Sequence, residues 1–325
     1  MNENTMNAVI YTEYGPPTVL HLKSVAKPAP KADEVLIRVH AATVTAGDVN
    51  IRGFTFVPDD MKLLPRLVFG IRKPRKPILG TEVAGDVVAV GAEVTQFKIG
   101  DRVFGIGSTE LGAYAEYVTR KAKGALAHIP DGVSYKDAVS LPFGAGTALY
   151  FLRDRADVQP GQRVLVNGAS GGVGSYAVQI AGALGAEVTG VCSTRNIEMV
   201  RELGADHIID YTREDFAQGG TQYDVIVDTV HGKTFEQAKP ALKPDGLYLA
   251  VAGNLRTMLR SIWNKRIITG TPKEDAQSIR DLMEMLQQSE IKPVIDRCYP
   301  LNETAEAHRY VETQRKRGSV LLTIG

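Results

Sequence analysis

The sequence predicts an α/β protein: a doubly wound parallel sheet in the middle of the chain, and a β domain assembled from the two chain ends. Three observations carry this. Residues 6–130 are rich in short strand-like runs broken by Gly, Pro and Asp. After about residue 130, apolar runs of five to eight residues alternate with helical stretches at βαβ spacing. The last thirty residues return to strand-like texture. At 325 residues the chain is too long for one ordinary core and suits two domains. The expected boundaries are 1–125 for the β domain, 126–265 for the sheet-and-helix domain, and 266–325 for the return.

In the first part, EVLIRVHAATV (34–44), EVAGDVVAVG (82–91) and AYAEYVTR (113–120) are the expected strands, and KPAPKADE (27–34) is a turn-rich connector. SYKDAVSLPFGAGTALYFLRDRA (134–156) reads as a helical pair capped by Ser134. Then follow strand 162–168, helix 175–186, strand 187–192, helix 197–205, and strands 207–211 and 223–230. A helix over 235–246 with a Gly stop leads to a fifth strand at LYLAVAG (247–253), and 274–290 is a further helix.

Bulk properties narrow the function. Hydrophobic content is 44%, charged content 23% and net charge +1, which gives no electrostatic case for nucleic acid or an acidic membrane. Cys192 and Cys298 are the only cysteines, too few for a disulfide scaffold or an all-cysteine zinc knuckle. The N-terminal segment lacks a cationic and then apolar signal pattern, and no run of about 18 apolar residues exists. The expectation is a soluble cytoplasmic protein with no integral membrane segment.

The stretch GASGGVG (168–174) lies between the strand VLVN and a helix. That order lets backbone amides at a helix N-terminus face a pyrophosphate, with the helix dipole favouring the charge. In G-x-G-x-x-G register the three places fall on Ala169, Gly171 and Gly174, with Gly168, Ser170, Gly172 and Val173 completing the loop. No Gly-Lys-Ser/Thr follows, which disfavours a nucleoside triphosphatase. An NAD site wants a carboxylate about 20 residues on. Nineteen residues beyond Gly174 the chain reads Cys192-Ser193-Thr194-Arg195-Asn196. Ser193 and Thr194 can donate to a phosphate and Arg195 can neutralise it, so the expected cofactor is NADPH. Tyr211 is expected to flank the adenine-ribose side.

Taken together, MNAVIYTEYGPPTVLHL (6–22), ILGTEVAGDVVAVGAEVTQFKIGDRVFG (78–105), GAYAEYV (112–118), LPFGAGTALYFL (141–152), NGASGGVG (167–174) and the tail 299–324 resemble a zinc-free medium-chain dehydrogenase/reductase of the NADPH:quinone oxidoreductase type. The resemblance implies a GroES-like β domain from both chain ends, a Rossmann domain between them, an active cleft where they meet, and a homodimer. Positions that hold catalytic zinc in zinc-dependent relatives fall on Thr45, on Thr81 within Gly80-Thr81-Glu82, and near Phe143; a zinc-binding lobe is missing after Gly100-Asp101-Arg102. No metal is therefore expected. Of six scattered histidines (21, 40, 128, 207, 231 and 308), most are expected on the surface or in strands, and His231, just after the fourth strand, is a candidate to approach the cofactor.

The resemblance also places Thr45 and Asp48 beside the nicotinamide and ribose and Thr147 near the carboxamide. Val230 and the run Val251-Ala252-Gly253-Asn254 line the other side. Arg52, Phe54, Phe56 and Phe143 are candidates for the acceptor pocket, and the insertion 56–80 is a candidate lid. No Tyr stands in Arg52–Phe56, which argues against an enoyl thioester reductase. The expected reaction is zinc-independent hydride transfer from NADPH to a quinone or α,β-unsaturated carbonyl. The alternatives are a zinc-free alcohol dehydrogenase and a non-catalytic NADPH-binding sensor. Asp48 reads equally as a turn residue of its loop.

Overall fold

The computed structural model describes residues 4–55, 70, 73–230, 232–251, 253 and 255–325. Phe56, His231, Ala252, Asn254 and nearly all of the candidate lid lie outside them. In chain order the strands are β1 (Thr5–Ile10), β2 (His21–Ala26), β3 (Glu34–Thr43), β4 (Glu82–Val90), β5 (Arg102–Ile106), β6 (Tyr117–Lys121), β7 (Leu126–His128), β8 (Arg163–Asn167), β9 (Glu187–Cys192), β10 (His207–Asp210), β11 (Tyr223–Asp228), β12 (Leu242–Ala250), β13 (Ile267–Ile268), β14 (Ile295–Pro300) and β15 (Ser319–Thr323). The α-helices are α1 (Ala46–Gly53), α2 (Tyr135–Val139), α3 (Gly144–Leu149), α4 (Gly174–Ala183), α5 (Ile197–Glu202), α6 (Phe235–Ala238), α7 (Leu255–Trp263), α8 (Ala276–Gln287) and α9 (Thr304–Glu312).

Two compact units emerge. One takes in the chain up to Pro142 together with Glu274–Met283 and Ile295–Gly325; the other is Phe143–Lys273 with Glu284–Val294. The first unit carries a mainly antiparallel sheet in the order β14-β15-β3-β4-β5-β7, with β6 also paired to β3. Its core is aliphatic: Val35, Ile37 and Val39 from β3 meet Val83, Val87, Val103, Val320 and Leu322. Burying these side chains contributes about 2 kcal/mol each, the main favourable term for this unit. The second unit is a six-stranded parallel sheet ordered β10-β9-β8-β11-β12-β13. The order reverses between β8 and β11, the crevice where doubly wound sheets bind ligands.

Several boundaries differ from the sequence reading. The first unit runs to Pro142 rather than 125, because α2 packs on β3, β4 and β5 and Tyr135 donates to Asp86 Oδ1 at 2.5 Å. Residues 284–294 join the second unit, where the Gln179 side chain on α4 grips Lys292 through both its N–H (2.7 Å) and its carbonyl (3.2 Å). The helix expected over 235–246 stops at Ala238. Pro240 cannot donate to a continuing helix, so a single 3₁₀ turn follows and β12 begins at Leu242. The fifth expected strand, LYLAVAG, lies inside the sheet: Tyr248 and Leu249 pair with Ile267 and Ile268, and among the described residues β13 is outermost.

Arg52 and Phe54 do not face an acceptor pocket. Both are core residues, 2% and 1% exposed. Arg52 donates to Gly15 O at 3.0 Å, contacts His308 Nδ1 at 3.2 Å and pairs with Glu312, so α1 is fastened to α9. Phe54 packs its ring on Tyr14. His308 is likewise internal; burial and then the neighbouring Arg52 cation bring its pKa down to about 3, so it stays neutral.

Asp86 on β4 ties three elements. Burial alone would raise its pKa, but hydrogen bonds from Tyr135, Arg38 and His40 outweigh this and bring it to about 2. A carboxylate depressed in the folded state stabilises above its unfolded pKa and loses that effect as the pH falls through the folded value. Asp86→Asn is expected to cost about 2 kcal/mol near neutral pH, with the deficit closing between about pH 4 and about pH 2. Urea unfolding across that range checks this, and a pH-independent deficit would refute it.

Candidate functional site

The glycine loop leaves the carboxyl end of β8, beside the reversal of strand order. Its path is steric. Gly168 has φ +86°, and a Cβ there would come within 2.4 Å of Val230 Cγ1. At Gly174 a Cβ would sit 2.1 Å from Gly168 O, so the first turn of α4 closes on the loop only without a side chain. The amides of Gly168 and Ala169 donate to Val191 O at 3.2 and 3.0 Å, and Ser175 donates to Gly171 O at 2.9 Å. Ala169 is buried, and its small methyl fits the turn where the motif usually has glycine. The start of α4 presents N–H groups that helix geometry leaves without intrahelical partners. A cradle that any Cβ would fill, at a helix N-terminus, fits a pyrophosphate.

Neighbouring strand ends hold the loop in place. Asn167 donates to Asp228 Oδ1 at 2.9 Å, Tyr248 OH donates to Asp228 Oδ2 at 2.7 Å, and Thr229 Oγ1 donates to Asn167 O at 2.8 Å. Val230 N–H and Gly232 N–H also approach Asp228 Oδ1, at 3.4 and 3.3 Å. Burial, then the Asp228 charge, pushes the Tyr248 phenol well above its usual range, so it remains a donor. Val230 is exposed beside the loop; Val251 and Gly253 follow β12 at the same edge of the sheet, with Val251 N–H donating to Asp228 O at 3.1 Å.

The end of β9 is bound to the loop by a residue that motif reading passed over. Asn196 Nδ2 donates to Ser170 Oγ at 2.8 Å and lies 3.4 Å from Ser193 Oγ. Ser193 precedes a 3₁₀ turn over Thr194–Asn196, which leaves Arg195 on the surface. One part of the sequence reading needs correction. CSTRN has no carboxylate, but β10 supplies one: Thr194 Oγ1 donates to Asp210 Oδ2 at 2.5 Å. The Thr194 hydroxyl is thus engaged rather than aimed at a phosphate. Asp210 is held below the usual carboxylate range by Thr194 and then Thr212, and Arg213 stands 3.6 Å away. Tyr211 follows, exposed, its N–H on Cys192 O. Burial, then Asp210, pushes the Cys192 thiol up to about 11, so it is not a nucleophile.

Thr147 and Phe143 belong to the second unit too: Phe143 precedes α3 and its carbonyl accepts the Thr147 N–H at 3.1 Å. Thr45 and Asp48 lie in the first unit. They form a capping box on α1, in which Asp48 Oδ2 accepts from Thr45 N–H (2.9 Å) and Oγ1 (2.6 Å), and Oδ1 accepts from Gly80 N–H (3.2 Å). Asp48 is 0% exposed, and burial raises its pKa against the effect of these bonds. The structure therefore gives Asp48 the turn-fixing role. Among the described residues no group of three or more His, Cys, Asp or Glu is placed to hold a metal ion.

Residues 31–131 match the alcohol dehydrogenase GroES-like domain and residues 203–322 match a zinc-binding dehydrogenase domain. The chain is 32% identical to a chloroplastic quinone-oxidoreductase homolog of Spinacia oleracea, covering 99% of both chains. This chain belongs to the medium-chain dehydrogenase/reductase family, quinone oxidoreductase type. It is also 32% identical to 2-methylene-furan-3-one reductase of Solanum lycopersicum, over 98% of this chain and 79% of that one. The solved quinone oxidoreductase of Coxiella burnetii superposes with a TM-score of 0.88 at 28% identity, covering 99% and 100% of the two chains. Membership makes the chain an oxidoreductase and implies a nicotinamide cofactor, which the glycine cradle suits.

Asn196 carries a testable share of that cradle. Asn196→Ala is expected to weaken nicotinamide nucleotide binding by about tenfold, one lost hydrogen-bond bridge, with little change in unfolding midpoint. Quenching titration with reduced dinucleotide measures it; unchanged affinity would remove Asn196 from the site.

Proposed function

We propose that this chain takes NADPH and reduces a quinone or an α,β-unsaturated carbonyl without zinc. The observation that carries the reading is the pairing of an amide-lined glycine loop at the strand reversal with a β9 end, Ser193-Thr194-Arg195, that has no carboxylate of its own. The tomato relative is named for an enone substrate and the spinach relative for quinones, which supports the acceptor class.

In this reading the bound nicotinamide supplies hydride. The loop amides of Gly171–Gly174 bind the pyrophosphate, and Ser193 and Arg195 hold the ribose 2′-phosphate. Thr147, Val230, Val251 and Gly253 orient the nicotinamide half. Phe143 contributes apolar surface toward the acceptor. Hydride addition to a conjugated acceptor spreads charge onto an oxygen that a hydrogen-bond donor or water can stabilise, so positioning in a dry site suffices. Threonines at two of the three zinc positions, Thr45 and Thr81, agree with a route that needs no Lewis acid. We also infer a homodimer, to be tested by light scattering.

The test is reduced-nicotinamide consumption by chelator-treated protein with 9,10-phenanthrenequinone, benzoquinone and a simple enone, using NADPH and NADH in parallel. Turnover that prefers NADPH and ignores chelator is expected; activity lost to chelator, or NADPH bound without turnover on any acceptor, would overturn the reading. Arg195→Ala is expected to raise the KM for NADPH by about tenfold while leaving that for NADH unchanged, since only the phosphate contact is removed. An equal effect on both would place Arg195 outside the phosphate site.

A further inference from the structure

The helix α7 is amphipathic with its faces reversed. Thr257, Ser261 and Asn264, at i, i+4 and i+7, form its less exposed stripe, and Ser261 Oγ lies 3.1 Å from Thr269 Oγ1 just past β13. The polar side therefore rests on the protein. The apolar side, Leu255, Met258, Leu259, Ile262 and Trp263, points away, with Ile262 67% and Trp263 89% exposed. No residue of α7 is buried. Single exposed apolar residues are ordinary, but five on one face of one helix make a contiguous patch of the kind that marks an interaction site.

Charge selects the occupant. Arg256, Arg260 and Lys265 are exposed on or next to α7, and no Asp or Glu stands between Asp245 and Glu274. Arg266 is not available, since its guanidinium donates to Gly246 O and Lys243 O. A second copy meeting this face about a two-fold axis would set one patch whose charges are all cationic against an identical one. An anionic surface would meet them favourably. Apolar residues with a tryptophan on one side and flanking cations are what an interfacial helix needs to lie in the headgroup layer. No described helix is long and apolar enough to cross a membrane, so the contact is peripheral.

We propose that α7 docks the protein on anionic lipid bilayers, inserting Leu259, Ile262 and Trp263 and pairing Arg256, Arg260 and Lys265 with lipid phosphates.

Trp263 is the chain's only tryptophan, so intrinsic tryptophan fluorescence reports this helix alone. The full-length protein is mixed with vesicles of phosphatidylglycerol and phosphatidylcholine, or of phosphatidylcholine alone, and followed by emission and by flotation. A blue shift and co-flotation with the anionic vesicles are expected, with partitioning at least about tenfold weaker on the neutral ones. Leu259→Glu combined with Ile262→Glu is expected to abolish flotation without changing the unfolding midpoint. Arg256→Gln combined with Arg260→Gln is expected to lower partitioning by about tenfold. Emission and flotation unmoved by either vesicle would overturn the proposal. So would emission already blue without lipid and rising with protein concentration, with the double Glu variant turning a dimer into a monomer; the face would then belong to a second copy.

Discussion

The buried carboxylate of Asp228 fixes the ligand edge of the parallel sheet. It accepts from Asn167 at the end of β8 and from Tyr248 on β12, while its own strand, β11, lies between them. Three strand ends are thereby set in one register, and the glycine loop starts one residue after Asn167. Removing one partner would leave a buried polar group unpaired, which is more costly than the bond itself is stabilising. The network thus converts a packing arrangement into a defined loop position. Gly168 and Gly174 then have no choice: the space left between Val230 and Gly168 O admits backbone only.

Much of this was legible in the sequence, because the signals were periodic or steric. Alternating apolar runs located β8, β9, β10 and β11, and the glycine spacing located the loop that joins β8 to α4. The Ser134 cap was readable because a short hydroxyl three residues before Asp137 satisfies a helix amide. What escaped was long-range. Asp228, Tyr248 and Asn196 carry no local pattern, since their partners lie from 20 to 61 residues away. Arg52 and Phe54 were misplaced for the same reason. A run that ends a helix near a cofactor motif looks functional until Glu312 and His308, 260 and 256 residues on, turn Arg52 inward.

The helix α7 was unreadable for a different reason. Its 3.6-residue pattern is plain, but pattern alone says that one face is apolar, not which way it points. Only the Ser261–Thr269 contact and the exposure of Ile262 and Trp263 show that the usual orientation is inverted. For Asp48 the sequence left two readings open, a place beside the cofactor and a turn-fixing role, and the structure shows the second directly. The hydrogen-bonding capacity of Thr45 and Asp48 is spent on one another and on Gly80, so their first effect is to start α1.

The choice of cofactor turns on a small charge balance. Asp210 places a carboxylate against Thr194, which by itself would repel a ribose 2′-phosphate. Arg213 stands close enough to offset that charge, and Arg195 adds a second cation on the surface of the same turn. Ser193, with its hydroxyl only 3.4 Å from the Asn196 amide, adds a neutral donor. The sum is one carboxylate, two guanidinium groups and a hydroxyl, a net positive surface. An NAD site needs the reverse, a carboxylate free to accept from the 2′-hydroxyl. Asp210 already accepts from Thr194 on one oxygen and from Thr212 on the other, which ties it to its own turn. Asp210 thus braces the turn at the end of β9, and the preference for NADPH that we propose rests on Ser193 and Arg195 beside it.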